Sequence, residues 1–209
     1  MKKQILQILY FGALWGFLEA TLGWALHWVP ALISGTILFP IATLIMLRAY
    51  QDSESKTVVF MTGVVAAAIK SVNFLLPNLS FFKVLNPMIA ILAEGLVVVA
   101  VIAWAKQKDW KQLAAFSLVT SIGWRALFLS VQAIEGVMTG MFSPTLLSTS
   151  SILSFTLWNG LIAAAMTFAF VMIQKTWVKR PISLWQLSPT TAAVAMVFSI
   201  AATVAVKFL

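Results

Sequence analysis

Four ionisable residues stand inside long apolar stretches of this sequence, where a charged side chain is least expected. Glu19 lies within GALWGFLEATLGWALHW (residues 12–28), and Lys70, Glu94 and Arg125 lie within comparable stretches. An unpaired charge at the centre of a bilayer costs about 2.5–3.5 kcal/mol, so such residues are functional candidates by default. Two acids and two bases can neutralise each other as ion pairs, or they can bind the opposite charges of a small ligand.

Amide and indole side chains accompany these charges. Trp15 precedes Glu19 by four residues and Asn73 follows Lys70 by three, so each pair shares a helix face. Convergent polar groups among aromatic and apolar walls are typical of a small-molecule pocket. The alternative is that buried ion pairs and amide hydrogen bonds only hold a helical bundle together. Because buried ion pairs stabilise weakly, we favour a binding site with these further members: Trp124, Trp158 and Asn159.

The composition indicates an integral membrane protein. Of 209 residues, 61% are hydrophobic and only 10% are charged, and the mean hydropathy is +0.98. Several apolar runs reach the length of about 18 residues that reads as a membrane-spanning helix. They lack the alternation of a β-barrel strand. We therefore expect an all-α, polytopic helical bundle that forms a single transmembrane domain over residues 1–209.

The pattern of apolar runs predicts six or seven transmembrane helices. Met1-Lys2-Lys3 leads into an apolar run too long for a cleaved signal peptide, so the first run is expected to remain as a helix. The last run is rich in small residues. The seven predicted segments are 4–27, 31–48, 57–76, 87–105, 112–134, 150–173 and 189–207.

The distribution of basic residues predicts a cytoplasmic N-terminus. With that orientation ten Lys and Arg residues lie at cytoplasmic ends, against Lys83 and Lys207 on the outer side. The net charge of +8, which in a soluble protein would suggest nucleic acid, is explained by this asymmetry. In this topology the polar groups of five segments all fall in the outer half of the membrane.

Three further stretches have a predicted structural role and an alternative. Gly12, Gly16 and Ala20 form a stripe of small residues that permits close helix contact, either within the bundle or with a partner. His27, between Trp24 and Trp28, is most simply part of an interfacial aromatic belt. The segment 136–151 is either a lid over an outward pocket or an ordinary connector.

The segment 77–87 is expected to lie at the outer interface. Pro77 and Pro87 bound it, with two aromatic residues between them. We expect Asn86-Pro87 to start the fourth helix, with proline near its first position. The positive end of that helix would then lie near the outer pocket, where it favours an anionic group.

No recognised catalytic or nucleotide-binding motif is present in the sequence. GxxxxGK[ST], HExxH and GxSxG are all absent, so the chain is not expected to hydrolyse ATP itself. There are no cysteines and there is one histidine, which excludes thiolate metal sites and multi-histidine centres. We expect no cofactor, no metal and no nucleic-acid partner.

The chain resembles the substrate-binding (S) components of energy-coupling factor (ECF) vitamin transporters. The resemblance lies in the size, the hydropathy and the topology, in the small residues of the first helix, and in the polar residues gathered toward the outer side. Six helices are usual in that family. The resemblance implies that the stripe of Gly12, Gly16 and Ala20 contacts a transmembrane coupling subunit. It also implies that two cytoplasmic ATPases drive toppling of the S component and that a loop closes over the vitamin, in a prokaryotic plasma membrane.

The leading expectation is a membrane substrate-binding subunit, not an enzyme, that captures a small polar or zwitterionic nutrient from outside. Glu19, Lys70, Glu94 and Arg125 would supply complementary charges. The asparagines would orient the ligand and the tryptophans would stack on it. Two alternatives stay open: an integral assembly or scaffold protein whose charges hold partner helices, and a membrane enzyme that acts on a lipid-like substrate. The asparagines of the leading expectation are Asn73 and Asn159, and its tryptophans are Trp15, Trp124 and Trp158.

Overall fold

The computed structural model describes residues 2–26, 31–77, 79–105, 109–177 and 188–206, which form helices joined by short connections. No strand occurs within these ranges. His27 lies outside the described residues. The helices are α1 (Lys2–Ala25), α2 (Ala31–Ser53), α3 (Lys56–Ser71), α4 (Phe81–Ala105), α5 (Trp110–Thr139), α6 (Thr149–Leu153), α7 (Asn159–Trp177) and α8 (Pro189–Ala205).

Five stretches among the described residues are long and apolar enough to cross a membrane. An all-helical chain with several such helices has the architecture of a multi-pass membrane protein. The remaining apolar helix α8 is shorter, at 17 residues. The five stretches are Lys2–Ala25, Lys56–Leu75, Phe81–Ala105, Trp110–Thr139 and Thr149–Lys175.

Six helices pack side by side in the order α1, α3, α4, α5, α7, α2, with α2 returning to α1. Helix α2 also contacts α3 and α4, and α8 packs mainly along α1 on the outside of this arrangement. Because successive long helices alternate in direction, the C-terminal ends of α1, α3, α5 and α8 lie with the N-terminal ends of α2, α4 and α6. We call this the cavity end of the bundle.

The small-residue stripe of α1 is used inside the chain. A Cβ atom on Gly12 would lie 2.5 Å from Val65 Cβ of α3, and one on Gly16 would lie 2.9 Å from both Ile69 and Ser199. Gly12, Gly16 and Ala20 are buried. In this conformation the stripe forms the contacts of α1 with α3 and α8. The intramolecular alternative describes the stripe in this arrangement, whereas its use as a surface for a partner subunit stays a prediction.

Local signals set several helix ends. The Ser55 side chain accepts a hydrogen bond from the Val58 amide (3.4 Å), and Asp109 accepts one from the Lys111 amide (3.0 Å). Such N-caps satisfy amide groups that have no partner in the first helical turn. Helix α5 ends at Gly140, whose φ of 72° is the left-handed conformation that glycine adopts without strain.

Two predicted boundaries are wrong. Helix α4 begins at Phe81, so Pro87 lies inside the helix and not at its first position. Proline there leaves the carbonyl of Lys83 without its helical amide partner, yet the helix continues. The predicted segment 150–173 is also interrupted, because one π turn over Ser154–Trp158 joins α6 to α7.

The predicted outer loop is shorter than expected. Helix α5 continues to Thr139, and a 3₁₀ turn occupies Pro144–Leu147 before α6 begins. No residue of the segment 136–151 lines the cavity, so the predicted lid is not closed over it in this structure.

Candidate ligand-binding cavity

A cavity of about 380 Å³ lies at the cavity end of the bundle. Each long helix that reaches it contributes residues one, three or four positions apart, which is the spacing of a single helix face. Helix α4 contributes the longest stripe, which runs from Asn86 to Glu94. The lining residues are Glu19, Ala20, Gly23, Trp24, Ser34, Gly35, Leu38, Lys70, Asn73, Asn86, Pro87, Ala90, Ile91, Glu94, Trp124, Phe128, Phe155, Thr203 and Val206.

Five of the nine predicted site residues meet in this cavity: Glu19, Lys70, Asn73, Glu94 and Trp124. They come from five elements, namely α1, α3, α4, α5 and the 3₁₀ turn after α3, to which Asn73 belongs. Their convergence agrees with the depth at which the sequence placed them. The two carboxylates give the cavity wall an acidic character that one ammonium group partly offsets.

Lys70 is held by a main-chain group. Its Nζ donates a hydrogen bond to the carbonyl oxygen of Glu19 (3.4 Å). An ion pair of 3.3 Å joins Arg48 and Asp52 at the opposite end of the bundle, whereas Lys70 forms none with Glu19 or Glu94. Lys70 thus lies near Glu19 in space, but its ammonium group contacts the backbone and not the carboxylate.

Glu94 is the most deeply placed acid of the cavity. Its side chain is buried, and Oε2 has no hydrogen-bond partner. The charges of Glu19 and Arg125 are both close enough to act on it, one repelling and one attracting. Oδ1 of Asn73 and Oδ1 of Asn86 are likewise buried without a partner. Buried polar atoms are normally hydrogen-bonded, so these three oxygens around one cavity are exceptions to the rule.

Arg125 does not line the cavity, contrary to the prediction that it faces the ligand. It is fully buried, and its guanidinium carbon lies 4.5 Å from the Trp124 ring centre and 5.7 Å from that of Phe155. Nη1 donates to the Ser121 carbonyl (2.6 Å) and Nη2 to the Thr36 hydroxyl (3.3 Å). Arg125 therefore supports the cavity wall from behind.

The other predicted members lie elsewhere. Trp15 is 1% exposed and packs against Gly63 of α3. Its indole lies next to the Glu19 carboxyl group, but Nε1 forms no hydrogen bond of regular geometry. Trp158 is 68% exposed and does not line the cavity, contrary to the prediction that it stacks on a ligand there. Asn159 also lies outside the lining.

Several lining residues were not predicted. Trp24, Phe128 and Phe155 add aromatic walls, and Ser34 and Gly35 bring the start of α2 to the cavity. Phe128 carried a usable signal, because it follows Trp124 by four residues and shares its face. From the sequence, Asn86 was expected only to mark the start of the fourth helix. Nothing in the sequence placed Thr203 and Val206 of α8 at this site.

Within the described part of the chain, no three His, Cys, Asp or Glu side chains are grouped so that they could hold a metal ion. The cavity therefore offers hydrogen bonds, charge and aromatic surface. Comparison of the chain with protein-family models, curated proteins and solved structures gave no match.

Proposed function

We propose that this protein is a membrane substrate-binding subunit that captures a small polar nutrient in the cavity between α1, α2, α4 and α5. The observation that carries the proposal is the set of partnerless buried oxygens, Glu94 Oε2 foremost, around a cavity that also contains Glu19 and Lys70. A volume of about 380 Å³ falls within the range of small-molecule sites, about 300–1,000 Å³.

Opposite charges and an aromatic wall support binding more than scaffolding. If the charges only held the bundle together, direct carboxylate–cation contacts would satisfy them best. Instead Lys70 donates to a carbonyl and Arg125 lies on Trp124, which leaves the Glu94 carboxylate oxygen unused. The cavity end faces outward in the proposed orientation, in which the N-terminus is cytoplasmic.

Uptake of the captured nutrient requires partners. The sequence has no nucleotide-binding motif, so energy would come from separate subunits, as the resemblance to ECF S components implies. A transmembrane coupling subunit and cytoplasmic ATPases are the proposed partners. Because the small-residue stripe of α1 is covered by α3 and α8, such a coupling subunit would contact another face, or α8 would first leave α1.

Native mass spectrometry of the full chain, extracted gently from its own membrane, tests the proposal. We expect a stoichiometric small-molecule adduct that is lost in Glu94→Gln, because the amide removes the acceptor charge while it keeps the side-chain shape. Glu135→Gln, a matched change outside the cavity lining, should retain the adduct. A wild-type chain free of any small adduct and bound only to another protein would contradict the proposal and favour a scaffold.

A further inference from the structure

The charges that line the cavity do not balance. Among the residues that the structure describes, the lining contains two carboxylates, Glu19 and Glu94, and one ammonium group, Lys70, which gives these three a formal charge of −1 when all are ionised. Arg125 is close enough to act on Glu94, but it lies outside the lining and its Nη groups donate to Ser121 and Thr36. In the described lining, one ammonium group therefore stands against two carboxylates.

The lysine is itself partly engaged. Its hydrogen bond to the Glu19 carbonyl fixes the ammonium group at the end of α1, and neither carboxylate lies within ion-pair distance of it in the described structure. A ligand cation between the two carboxylates would offset the repulsion that Glu19 exerts on Glu94, and charges interact more strongly in a buried site than in water.

The partnerless polar atoms of the lining specify the hydrogen bonds that a ligand would make. Three of them are acceptors: Oε2 of Glu94, Oδ1 of Asn73 and Oδ1 of Asn86. One is a donor, Nε1 of Trp124. A ligand that satisfies them carries several N–H donors at its charged end and one acceptor beside it. Charge-assisted hydrogen bonds of this kind are shorter and stronger than neutral ones.

The walls accept an apolar body. Phe128 and Phe155 lie beside Trp124, with ring centres 6.3 and 5.9 Å from that of the indole. One face of Trp124 is already covered by the Arg125 guanidinium, so ligand contact with this cluster is made through the remaining ring surfaces. Trp24 and Leu38 add apolar surface on the α1 and α2 sides.

From these observations we infer that the ligand is an organic cation: a protonated amine or amidine with one neighbouring acceptor, attached to an aromatic or apolar body. The inference rests on the proposed function, because it names the charge class of the nutrient. It narrows the expected polar or zwitterionic nutrient to a species that carries net positive charge. Glu94, Glu19, Asn73 and Asn86 would receive the cationic end.

Four probes with one aromatic body and different charges test this assignment. They are L-phenylalaninamide (cation), L-phenylalanine (zwitterion), N-acetyl-L-phenylalanine (anion) and N-acetyl-L-phenylalaninamide (neutral). Thermal unfolding of the detergent-solubilised full chain is followed at about pH 6, where the amine of the amide is protonated. Stabilisation at increasing probe concentration, up to about 10 mM, gives the relative affinities.

We expect phenylalaninamide to bind at least about tenfold more tightly than the neutral and anionic probes. Glu94→Gln should abolish that preference, whereas Glu135→Gln should retain it. If Glu94→Gln does not fold, Glu19→Gln serves as the second variant. Stronger binding of the neutral or anionic probe, or of the zwitterion, would overturn the assignment, and so would the absence of stabilisation by all four. A wild-type adduct in native mass spectrometry together with such a result would leave the proposed function standing and refute only the charge class.

Discussion

At the scale of single residues, Arg125 shows how a buried charge is accommodated without an ion pair. Its guanidinium lies over the Trp124 ring at 4.5 Å and donates to one carbonyl and one hydroxyl group. A cation over an indole is attracted by the ring quadrupole, and the attraction grows when water is excluded. Arg125 thereby holds Trp124, a cavity-wall residue, in place through contacts with α2 and α5.

Replacing this residue is expected to destabilise the apo protein. Arg125→Gln removes the stacked cation and the bond to the Thr36 hydroxyl, so we expect a loss of about 3 kcal/mol in the free energy of unfolding. Denaturant-induced unfolding of the ligand-free protein in detergent measures it. Arg48→Gln is the control, since its ion pair with Asp52 (3.3 Å) is partly exposed and contributes about 0.5 kcal/mol. Equal stability of the two variants would contradict the structural role given to Arg125.

The sequence predicted the level of each residue along the bundle axis better than it predicted whether the side chain faces the cavity. Glu19, Lys70, Asn73 and Glu94 reach the cavity because the alternating helices bring their levels together. Whether a side chain at that level faces inward depends on the rotation of its helix, which neighbouring helices determine. Trp158 has a suitable depth but lies on the outer side of the π turn, and no pattern in the sequence indicated that turn.

At the scale of helices, the close contact of α1 with α3 depends on Gly12. A Cβ atom there would come within 2.5 Å of the Val65 Cβ, a distance that requires one helix to move. Backbone proximity of this kind is how small residues promote helix association in membranes, where apolar side chains gain little by leaving lipid. The α1–α3 contact also sets the position of Glu19 relative to Lys70, because the two residues lie on these helices.

A pair of glycine substitutions tests this contact. Gly12→Ala should destabilise the protein by about 1–3 kcal/mol, the usual cost of overpacking a well-filled interior. Gly95→Ala should remain within about 1 kcal/mol of wild type, because its new methyl group would meet only Phe60, at 3.8 Å, and alanine is the better helix former. Thermal unfolding of both variants in the same detergent gives the comparison. A Gly12→Ala protein as stable as Gly95→Ala would show that α1 and α3 are not closely packed here.

Helix boundaries were predictable where turn chemistry is local and less so elsewhere. The caps at Ser55 and Asp109 coincide with polar breaks that the sequence displayed. Pro87 was expected to begin a helix, but apolar residues on either side keep the chain helical through it. Tertiary packing overrides the local preference of proline in such a case.

At the scale of the whole molecule, most of the described basic residues lie at the end of the bundle opposite the cavity, and Lys70 and Lys83 are the ones at the cavity end. The cavity is lined near the ends of α1 and α3, whereas Arg48 and Lys56 lie at the α2–α3 connection and Lys175 at the end of α7. The positive-inside rule assigns the basic end to the cytoplasm. The ligand-binding proposal requires that same orientation, because a nutrient is captured from outside.

The absence of cysteine from the chain allows this orientation to be tested without background labelling. Thr149→Cys lies at the cavity end and Thr57→Cys at the opposite end, and both side chains are exposed. In intact cells a membrane-impermeant maleimide should label Thr149→Cys within minutes, and should label Thr57→Cys only after the membrane is permeabilised. The cysteine-free wild type controls for non-specific reaction, and denatured samples show that each cysteine is able to react. The reverse pattern would place the cavity on the cytoplasmic side and exclude capture from outside, while leaving the packing of the helices unchanged.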